Sequence, residues 1–381
     1  MKTVELGSVA SIDRKGVDPS SVPPETIYLG LEHIERGGRI LGRNTVGGAD
    51  LASTKFAFTE DHVLFGKLRP NLGKISRPDF AGVCSTDILP IRPGADLDRN
   101  YLAHYLAQPS MVDFAASRTS GANLPRLSPT VLATFPIPLP PLPEQRRIAA
   151  ILDHADALRA KRRQVLAHLD ALTRSIFLEM FAAIPADSTV VEQATLIRTG
   201  PFGSQLLHSE FVDAGIAVLG LDNVVSNEFR WGERRFITPT KYRELGRYTV
   251  RPGDVLVSIM GTTGRCVVVP DDIPVAINTK HICAITPDRA HLHPTFLRAA
   301  FLWHPDSRAH LRRQTKGSIM DGLNMGIIKA MPIPVPALAD QDEFVHRAER
   351  VSSYQAGVTR AAVSDDELFT SLQSRTFRGE L

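Results

Sequence analysis

Five loops of the sequence combine glycine with hydroxyl, amide and basic side chains. Such loops present backbone N–H groups, hydroxyls and Arg or Lys head groups, which are the usual partners of phosphate oxygens. Arg and Asn in them can also donate paired hydrogen bonds to base edges. The alternative is that they are ordinary polar surface turns. The loops are GKLRPNLGK (66–74), SRTSGANLPR (117–126), TGPFGSQL (199–206), GTTGR (261–265) and RRQTKGS (312–318).

These loops recur in both halves of the chain, and that recurrence favours binding over ordinary turns. It predicts a protein that contacts nucleic acid through a few local patches. The candidate contacts are polar, basic and aromatic residues of these loops, together with one further lysine. They are Lys67, Arg69, Asn71, Lys74, Arg118, Ser120 and Asn123 in the first half, and Phe202, Ser204, Gln205, Thr262, Thr263, Arg265, Lys280, Arg313, Lys316 and Ser318 in the second.

The chain carries no assembled motif for methyl transfer or hydrolysis. The sequence nearest to an Asn/Asp/Ser-Pro-Pro-aromatic methyltransferase motif is VPPE (22–25), which fails at both ends. No G-x-G-x-x-G follows a predicted strand, so a nucleoside-cofactor site has no fingerprint. Asp271 and Lys280 resemble part of a nuclease site, but Asn278 stands where such a site needs a magnesium-binding carboxylate. The sequence therefore favours a binding protein without catalytic residues.

A metal site or a disulfide framework is equally unsupported. Cys84, Cys266 and Cys283 are far apart and form no C-x-x-C pair. His291 and His293 flank Leu292 without the further Cys or acidic ligands that a metal requires. We interpret these two histidines as residues at the start of a helix.

The composition is that of a globular protein, with 43% apolar and 22% charged residues among 381. The net charge is only +3, which is low for a non-specific nucleic-acid coat. The length predicts two domains, or three. The N-terminus lacks the apolar segment of a signal peptide, and no apolar run is long enough to span a bilayer. We expect a soluble, cytoplasmic protein.

An internal repeat sets the architecture. Three segments of the first half return in order in the second half, at a nearly constant offset of about half the chain. Each half is thus a globular segment followed by a proline-rich strap and a helix. The matched pairs are YLGLEHI (28–34) with VLGLDNV (218–224), KFAFTEDHVLFGKL (55–68) with RYTVRPGDVLVSIM (247–260), and FPIPLPPLPEQ (135–145) with MPIPVPALADQ (331–341).

The globular segments read as mixed α and β structure. Short β-branched runs between Gly, Pro and Asn turns predict strands. Strands that do not alternate strictly with helices favour an α+β fold over a doubly wound sheet. The predicted strands include 63–65, 255–259, 266–269 and 282–285, and the predicted helices cover 100–116 and 294–313.

Each strap leads into one long helix. Proline at every second position fixes φ and removes donors, so PIPLPPLP (136–143) and PIPVP (332–336) should run extended. The helices are predicted over about 144–181 and 340–377, and their heptad seams should pack on each other. Only Arg162 breaks the first seam. The seams are Ile151, Ala155, Leu158, Arg162, Val165, Leu169, Leu172 and Ile176, and Phe344, Ala348, Val351, Gln355, Val358, Ala362, Asp365, Phe369 and Leu372.

These segments resemble a known family. Residues 138–181 are similar to the central spacer of the specificity subunits of type I restriction–modification enzymes, and SLQSRTFRGEL (371–381) is similar to the C-terminal spacer. TGPFGSQL and GKLRPNLGK resemble recurring features of the family's target recognition domains. The second spacer has Asp340-Gln341-Asp342 where the family pattern is Glu-Gln-Arg.

The resemblance implies a non-catalytic subunit with two target recognition domains, 1–135 and 186–330, and two antiparallel spacer segments, 136–185 and 331–381. Each domain would read one half of a split, asymmetric DNA site. Two modification subunits with S-adenosylmethionine and motor–nuclease restriction subunits with ATP and Mg²⁺ would dock around the spacers, while this chain binds no cofactor. The implied spacer and partner residues are Gln145, Arg146, Ile151, Leu158, Val165, Leu169, Leu172, Ile176, Gln341, Phe344, Val351 and Val358.

Two other classes of protein stay open at this point. One is a single-chain DNA methyltransferase or nuclease with its own specificity domains, which would show methyl transfer or cleavage by the purified chain. The other is a coiled-coil adaptor that only joins proteins, which would fail to bind DNA.

Overall fold

The computed structural model describes residues 2–121, 123–315 and 322–380. The chain divides into two compact units. Unit 1 comprises Met1–Arg163 and Arg360–Leu381, and unit 2 comprises Gln164–Thr359. Each unit therefore contains one globular domain and a segment of each of the two long helices.

The domain of unit 1 is built on two main sheets. One sheet has the strand order β2-β10-β7-β8 and the other β3-β6-β9-β4-β5, in which only the β4–β9 pair is parallel. The elements are β1 (Thr3–Glu5), α1 (Leu6–Val9), β2 (Ala10–Ile12), β3 (Gly16–Val17), β4 (Ile27–Leu29), β5 (Asn44–Thr45), β6 (Lys55–Phe58), β7 (Val63–Gly66), β8 (Ile75–Ser76), β9 (Gly82–Cys84), β10 (Ile88–Pro93), α2 (Arg99–Leu106), α3 (Pro109–Ala116), α4 (Pro129–Ala133), β11 (Pro136–Pro138) and α5 (Leu142–Phe181), which continues into unit 2.

Unit 2 repeats this plan. Its sheets have the orders β13-β20-β17-β18 and β15-β14-β19-β16, and β14–β19 is the parallel pair. The elements are β12 (Ser188–Thr189), β13 (Ala194–Thr199), β14 (Ile216–Leu219), β15 (Phe236–Ile237), α6 (Pro239–Leu245), β16 (Thr249–Val250), β17 (Val255–Ser258), β18 (Cys266–Val268), β19 (Ala276–Asn278), β20 (Ile282–Pro287), α7 (Pro294–Trp303), α8 (Pro305–Thr315), α9 (Met325–Lys329), β21 (Pro332–Ile333) and α10 (Leu338–Phe377), whose C-terminal part belongs to unit 1.

The predicted α+β class and internal repeat are confirmed. In both units the central strand, β7 or β17, is buried along its whole length and lies between two antiparallel neighbours. The core of each domain packs the sheet against the helix that follows it. Burial of such apolar side chains contributes about 25 cal/mol per Å² of apolar surface.

Both predicted domain helices are broken in the structure. The stretch 100–116 forms α2 and α3, and 294–313 forms α7 and α8. Pro109 and Pro305 cause the breaks, because proline lacks the N–H for a continuing helix and disfavours helical backbone in the residue before it. Gln108 and His304 accordingly have extended ψ angles of 141° and 132°. Each proline then occupies the first position of a new helix.

The straps are extended, as predicted. β11 pairs antiparallel with β1, and β21 pairs with β12, so each strap closes a two-stranded ribbon with the first strand of its own domain. The long helices begin at Leu142 and Leu338, two residues before the predicted starts. Pro143 falls in the first turn, where its missing N–H leaves no helical bond unmade.

A buried glutamine joins strap, domain and helix in each unit. The Gln145 amide donates to the carbonyls of Asp96 and Pro140 and accepts from the Asp98 N–H, at 2.8–2.9 Å. Gln341 makes the same three bonds to His291, Pro336 and His293, at 2.8–2.9 Å. Both side chains are 0% exposed. These two predicted spacer residues therefore face inward.

The two long helices run antiparallel within each unit. In unit 1, Arg159 of α5 donates to Asp366 of α10 and Arg162 donates to Asp365, both at 2.6 Å. In unit 2, Gln355 donates to Asp170 at 2.5 Å. Residue numbers increase along α5 while those of the paired residues on α10 decrease, so the two helices are antiparallel.

The second predicted seam is buried or half-buried at every position, but the first is exposed at three of its eight positions. Leu158, Val165 and Leu172 are 47%, 44% and 43% exposed. The other five seam residues are half-buried: Ile151, Ala155, Arg162, Leu169 and Ile176. The residue that follows each exposed position is half-buried instead, namely Arg159, Leu166 and Thr173. Leu152, which follows Ile151, is buried. Because α5 has apolar residues at adjacent positions, either of two helix faces could pack against α10. The arginine–aspartate pairs form with only one of these two faces turned inward.

Among the described residues, no helix combines the length and apolarity needed to cross a bilayer.

Candidate nucleic-acid interface

In unit 1, the loops that follow the parallel strands converge beside the end of the central strand. The Ser85 N–H after β9 donates to the Leu29 carbonyl of β4 at 2.9 Å. The Lys67 N–H after β7 donates to the Asp87 carbonyl, and the Leu127 N–H donates to the Lys67 carbonyl, both at 2.9 Å. We call this surface, with loops 66–74 and 117–127, the strand-end face of unit 1.

Unit 2 repeats these three hydrogen bonds. The Thr279 N–H donates to the Leu219 carbonyl at 3.0 Å, and the Ile259 N–H donates to the His281 carbonyl at 2.9 Å. The Leu323 N–H donates to the Ile259 carbonyl at 2.9 Å. The strand-end face of unit 2 therefore has the same backbone frame, and it carries loops 199–206, 220–235 and 259–265.

The loop after β7 is held rigidly. Arg69 has a left-handed backbone (φ 50°), which is uncommon outside glycine and needs support from its surroundings. That support includes the bond from the Arg69 N–H to the Pro125 carbonyl at 2.8 Å. The Lys74 ammonium donates to the Leu31 carbonyl at 2.7 Å, so this predicted contact stabilises the loop. Arg69 and Asn71 are exposed, and Lys67 is half-buried.

The neighbouring loop of unit 1 places its polar residues at the rim. Arg118 lies over the Phe114 ring at 3.4 Å from its centroid, an arrangement that fixes its direction. Ser120 bridges to Arg126, and the Arg126 guanidinium pairs with Asp87 at 2.9 Å. Arg118, Ser120 and Asn123 are all exposed.

The loop after β17 is a tight, hydroxyl-bearing turn. The Ser258 hydroxyl donates to the Thr262 carbonyl at 2.5 Å and accepts from the Arg265 N–H at 2.9 Å. Gly261 and Gly264 have φ of 74° and 77°, a conformation that favours glycine. Thr262 is exposed, whereas Thr263 and Arg265 are half-buried.

Loop 199–206 lies against the end of β19. A Cβ at Gly200 would come within 2.1 Å of the Asn278 carbonyl oxygen, so only glycine permits this approach. Beyond it, Phe202 is 52% exposed, which is unusual for a large apolar side chain, and Ser204 is exposed. Gln205 accepts a 2.8 Å hydrogen bond from the Tyr248 hydroxyl.

The strand-end face of unit 2 is electropositive around His281. Partial burial lowers the pKa of His281, and the charges of Lys280 and Arg235 lower it further. A lowered pKa leaves this imidazole neutral at neutral pH. Lys280 itself is exposed.

An aromatic and basic part of this face is not among the residues predicted from the sequence. Arg234 stacks over Trp231 at 5.0 Å from the ring, and Trp231 packs edge-on against Phe229. Trp231 is 39% exposed. An aromatic residue within the basic run RWGERR (230–235) is the signal that predicts such a surface.

The remaining predicted residues lie on helices α5, α8 and α10 or outside the described residues. Arg313 is exposed on α8. Lys316 and Ser318 lie outside the described residues. Arg146 is exposed near the start of α5, while Phe344 and Val351 are buried and Val358 is half-buried on α10.

Comparison with known proteins identifies relatives of this chain. Residues 1–168 match the family model of the type I restriction modification DNA specificity domain. The type I restriction enzyme EcoDI specificity subunit of Escherichia coli is 32% identical over 47% of this chain and 40% of its own length. The EcoBI specificity subunit of Escherichia coli is 27% identical over 73% of this chain and 65% of its own length.

A solved structure shows the same fold over the whole chain. It comes from work on complex assembly and conformational transition of the type I restriction–modification system, and it aligns with a TM-score of 0.62 at 20% identity over 100% of this chain and 98% of that one. The fold is a duplicated α+β domain with two long helices. The chain is similar to specificity subunits of type I restriction enzymes, and it spans 40% and 65% of the length of these two relatives.

Proposed function

We propose that this chain is the DNA-recognition subunit of a type I restriction–modification complex and that each unit reads one half of a bipartite, asymmetric site. One observation carries the proposal. The two strand-end faces share a backbone frame, bond for bond, but present different side chains. A shared frame gives both faces the same way of approaching a duplex, and different side chains give different half-sites.

The chemistry of the faces supports DNA as the ligand. Arg69 and Lys280 are exposed cations, and the loops around them offer amides and hydroxyls. Cationic groups and backbone N–H groups bind phosphates, whereas Arg, Asn and Gln read base edges. We assign positioning on the backbone to the lysines and sequence readout to Arg69, Asn71 and Gln205.

We assign the chemical steps to partner subunits, because the sequence has neither a methyltransferase motif nor a complete set of nuclease carboxylates. Modification subunits would supply S-adenosylmethionine and methylate adenines, and restriction subunits would supply ATP- and Mg²⁺-dependent translocation and cleavage in the cytoplasm. Leu158, Val165 and Leu172 support docking, since they are exposed at seven-residue intervals along α5. A partner helix would cover such apolar side chains.

The test is co-expression of this chain with its modification subunit, followed by mapping of methylated adenines by long-read sequencing. We expect a split motif with methylated adenines in both halves, lost when this chain is omitted. A stable complex that methylates no motif would contradict the recognition role. Methylation by the purified chain alone would instead support the single-chain enzyme, and lack of DNA binding by the assembled complex would support the adaptor.

A further inference from the structure

A cavity of about 580 Å³ in unit 2 lies where the domain meets α5. Its polar lining is dominated by arginines from three elements: Arg174 of α5, Arg265 of the loop after β17, and Arg308 and Arg312 of α8. The other lining residues are Leu178, Asn227, Gly264, Leu302, Trp303 and Pro305.

No carboxylate lines this cavity among the described residues. Burial lowers the pKa of Arg308, and the neighbouring charges of Arg312 and Arg174 lower it further. Like charges held together in a partly desolvated cleft repel one another. These side chains therefore attract an anion into the cavity.

The walls of the cavity are rigid. The Arg298 guanidinium donates to the Asn227 carbonyl at 2.6 Å and to the Cys266 carbonyl at 3.2 Å, which ties the loop at Asn227 to β18. The Asn227 side chain accepts from the Cys266 N–H at 3.0 Å. Trp303 packs on Phe177 with the ring centroids 5.9 Å apart. The backbone of these walls is therefore held in place before a ligand binds.

Unit 1 has a corresponding cleft that differs in charge. Its lining comes from the same parts of the fold, including Gly37, Gly73 and Pro109, which correspond to Asn227, Gly264 and Pro305. Its arginines stand beside carboxylates, since Arg77 pairs with Asp153 at 2.6 Å and Arg159 pairs with Asp156 at 3.0 Å. The balanced cleft of unit 1 thus needs no external anion. The full acidic lining is Glu35, Asp113 and Asp156.

We propose that Arg174, Arg265 and Arg308 form a binding site for a phosphate of the DNA backbone, beside the half-site read by unit 2. This inference rests on the proposed function. Arg265 links the cleft to the strand-end face, because it ends the loop that forms part of that face. Guanidinium groups match phosphate geometry and remain charged at all relevant pH values. A phosphate contact adds affinity without choosing a sequence.

The experiment measures binding of a labelled DNA duplex to the full chain, assembled with its modification subunits, as a function of salt. The variants are Arg174→Gln and Arg308→Gln, alone and together. Each phosphate contact contributes about 0.9 to the slope of log K against log salt, so we expect the double variant to lose about that much slope for one phosphate. The affinity should fall by the same factor for target and non-target duplexes.

Arg350→Gln is the matched control, because Arg350 is an exposed arginine on α10 outside the cleft. It removes the same charge and should leave the slope unchanged. Arg308→Lys should keep most of the slope. Inorganic phosphate should raise the melting temperature of the wild-type chain more than that of Arg308→Gln, which tests the site without DNA.

An unchanged slope in the double variant, with folded protein, would overturn the proposal. Loss of assembly with the modification subunits at unchanged DNA binding would also overturn it, and would assign the cleft to an acidic protein segment. Failure of the wild-type complex to bind any duplex would contradict the proposed function itself, so the two failures are distinguishable.

Discussion

The contacts that hold each domain against the long helices differ in part between the two units. In unit 1, Asp153 of α5 accepts from Arg77 at 2.6 Å and from His104 at 2.8 Å. Aromatic rings also join domain and helix in both units: Phe377 of α10 lies 5.2 Å from the rings of Tyr101 and Tyr105 in unit 1. In unit 2 the cluster is larger, and Phe177 of α5 lies 5.4–5.6 Å from the rings of Phe181, Phe296 and Phe344. The glutamine junction, by contrast, is the same in both. The glutamine junction is thus retained in both units while the side-chain contacts around it differ.

The same division applies to the strand-end faces. The backbone ladder from strand end to strand end is repeated, while the loop after the central strand is a nine-residue turn rich in Lys and Arg in one unit and a Gly-Thr turn in the other. The frame and the side chains that it carries are therefore separable. This separation explains how one fold can present two surfaces with different side chains.

The largest expected effect is on the aromatic junction of unit 2. Phe177→Ala removes a fully buried ring and should cost about 3–5 kcal/mol of stability in unit 2. Both tryptophans, Trp231 and Trp303, lie in unit 2, so their fluorescence during urea unfolding reports on that unit. Exchange protection in unit 1 should remain. Equal loss of protection in both units would show that the junctions are not independent.

The glutamine junctions should respond alike. Gln145→Leu and Gln341→Leu each strip the hydrogen bonds from one N–H and two carbonyls, and a buried unsatisfied group costs about 1–3 kcal/mol. We expect similar destabilisation in the two units, measured by hydrogen exchange of α2 and α7. A large loss for one glutamine and none for the other would break the equivalence of the repeats.

The ionic junction of unit 1 should be sensitive to acid. Burial raises the pKa of Asp153, but the hydrogen bonds from His104 and Arg77 outweigh it, so the pKa lies below its ordinary value of 3.8. Its contribution is therefore present above that pH and is lost as pH falls through the lowered pKa. Unit 1 should lose exchange protection in acid more steeply than the same unit carrying Asp153→Asn. Identical acid profiles for the two proteins would contradict this role.

Substitutions in the loop after β7 should have the smallest effect on the stability of the fold. Their effect should be on DNA binding. Arg69→Ala should weaken binding to the target duplex more than binding to a non-target duplex, because we assign Arg69 to base readout. Lys74→Ala should instead loosen the loop, because its ammonium bonds to the Leu31 carbonyl. Arg69→Lys is the control that retains charge. Wild-type binding by both alanine variants would remove this loop from the interface.

Much of the fold follows from local patterns in the sequence. The repeat, the extended straps, the two long helices and the seam of α10 depend on proline spacing and heptad periodicity, which act over a few residues. Loops 66–74 and 261–265 were located correctly because glycine and proline mark turns. The structure brings both of them to strand ends.

The rest depends on contacts distant in sequence. The inward face of α5 is set by the pairing of Arg159 with Asp366, and apolar periodicity alone does not choose between two adjacent apolar positions. Burial of Gln145 requires carbonyls contributed by the domain and the strap. The arginine cavity joins α5, α8 and a β-loop, so no stretch of sequence contains it. Pro109 and Pro305 did carry a local signal for the helix breaks.

The central claim is that each strand-end face reads its own half-site, and exchange of one face tests it most directly. Residues 225–236 of unit 2 would be replaced with the matching segment of a family member that has a different target, and methylated adenines would be mapped in cells that also express the modification subunit. We expect a new sequence in one half of the split motif, with the other half and the spacer length unchanged. Changes in both halves, or an unchanged motif made by a folded variant, would contradict it.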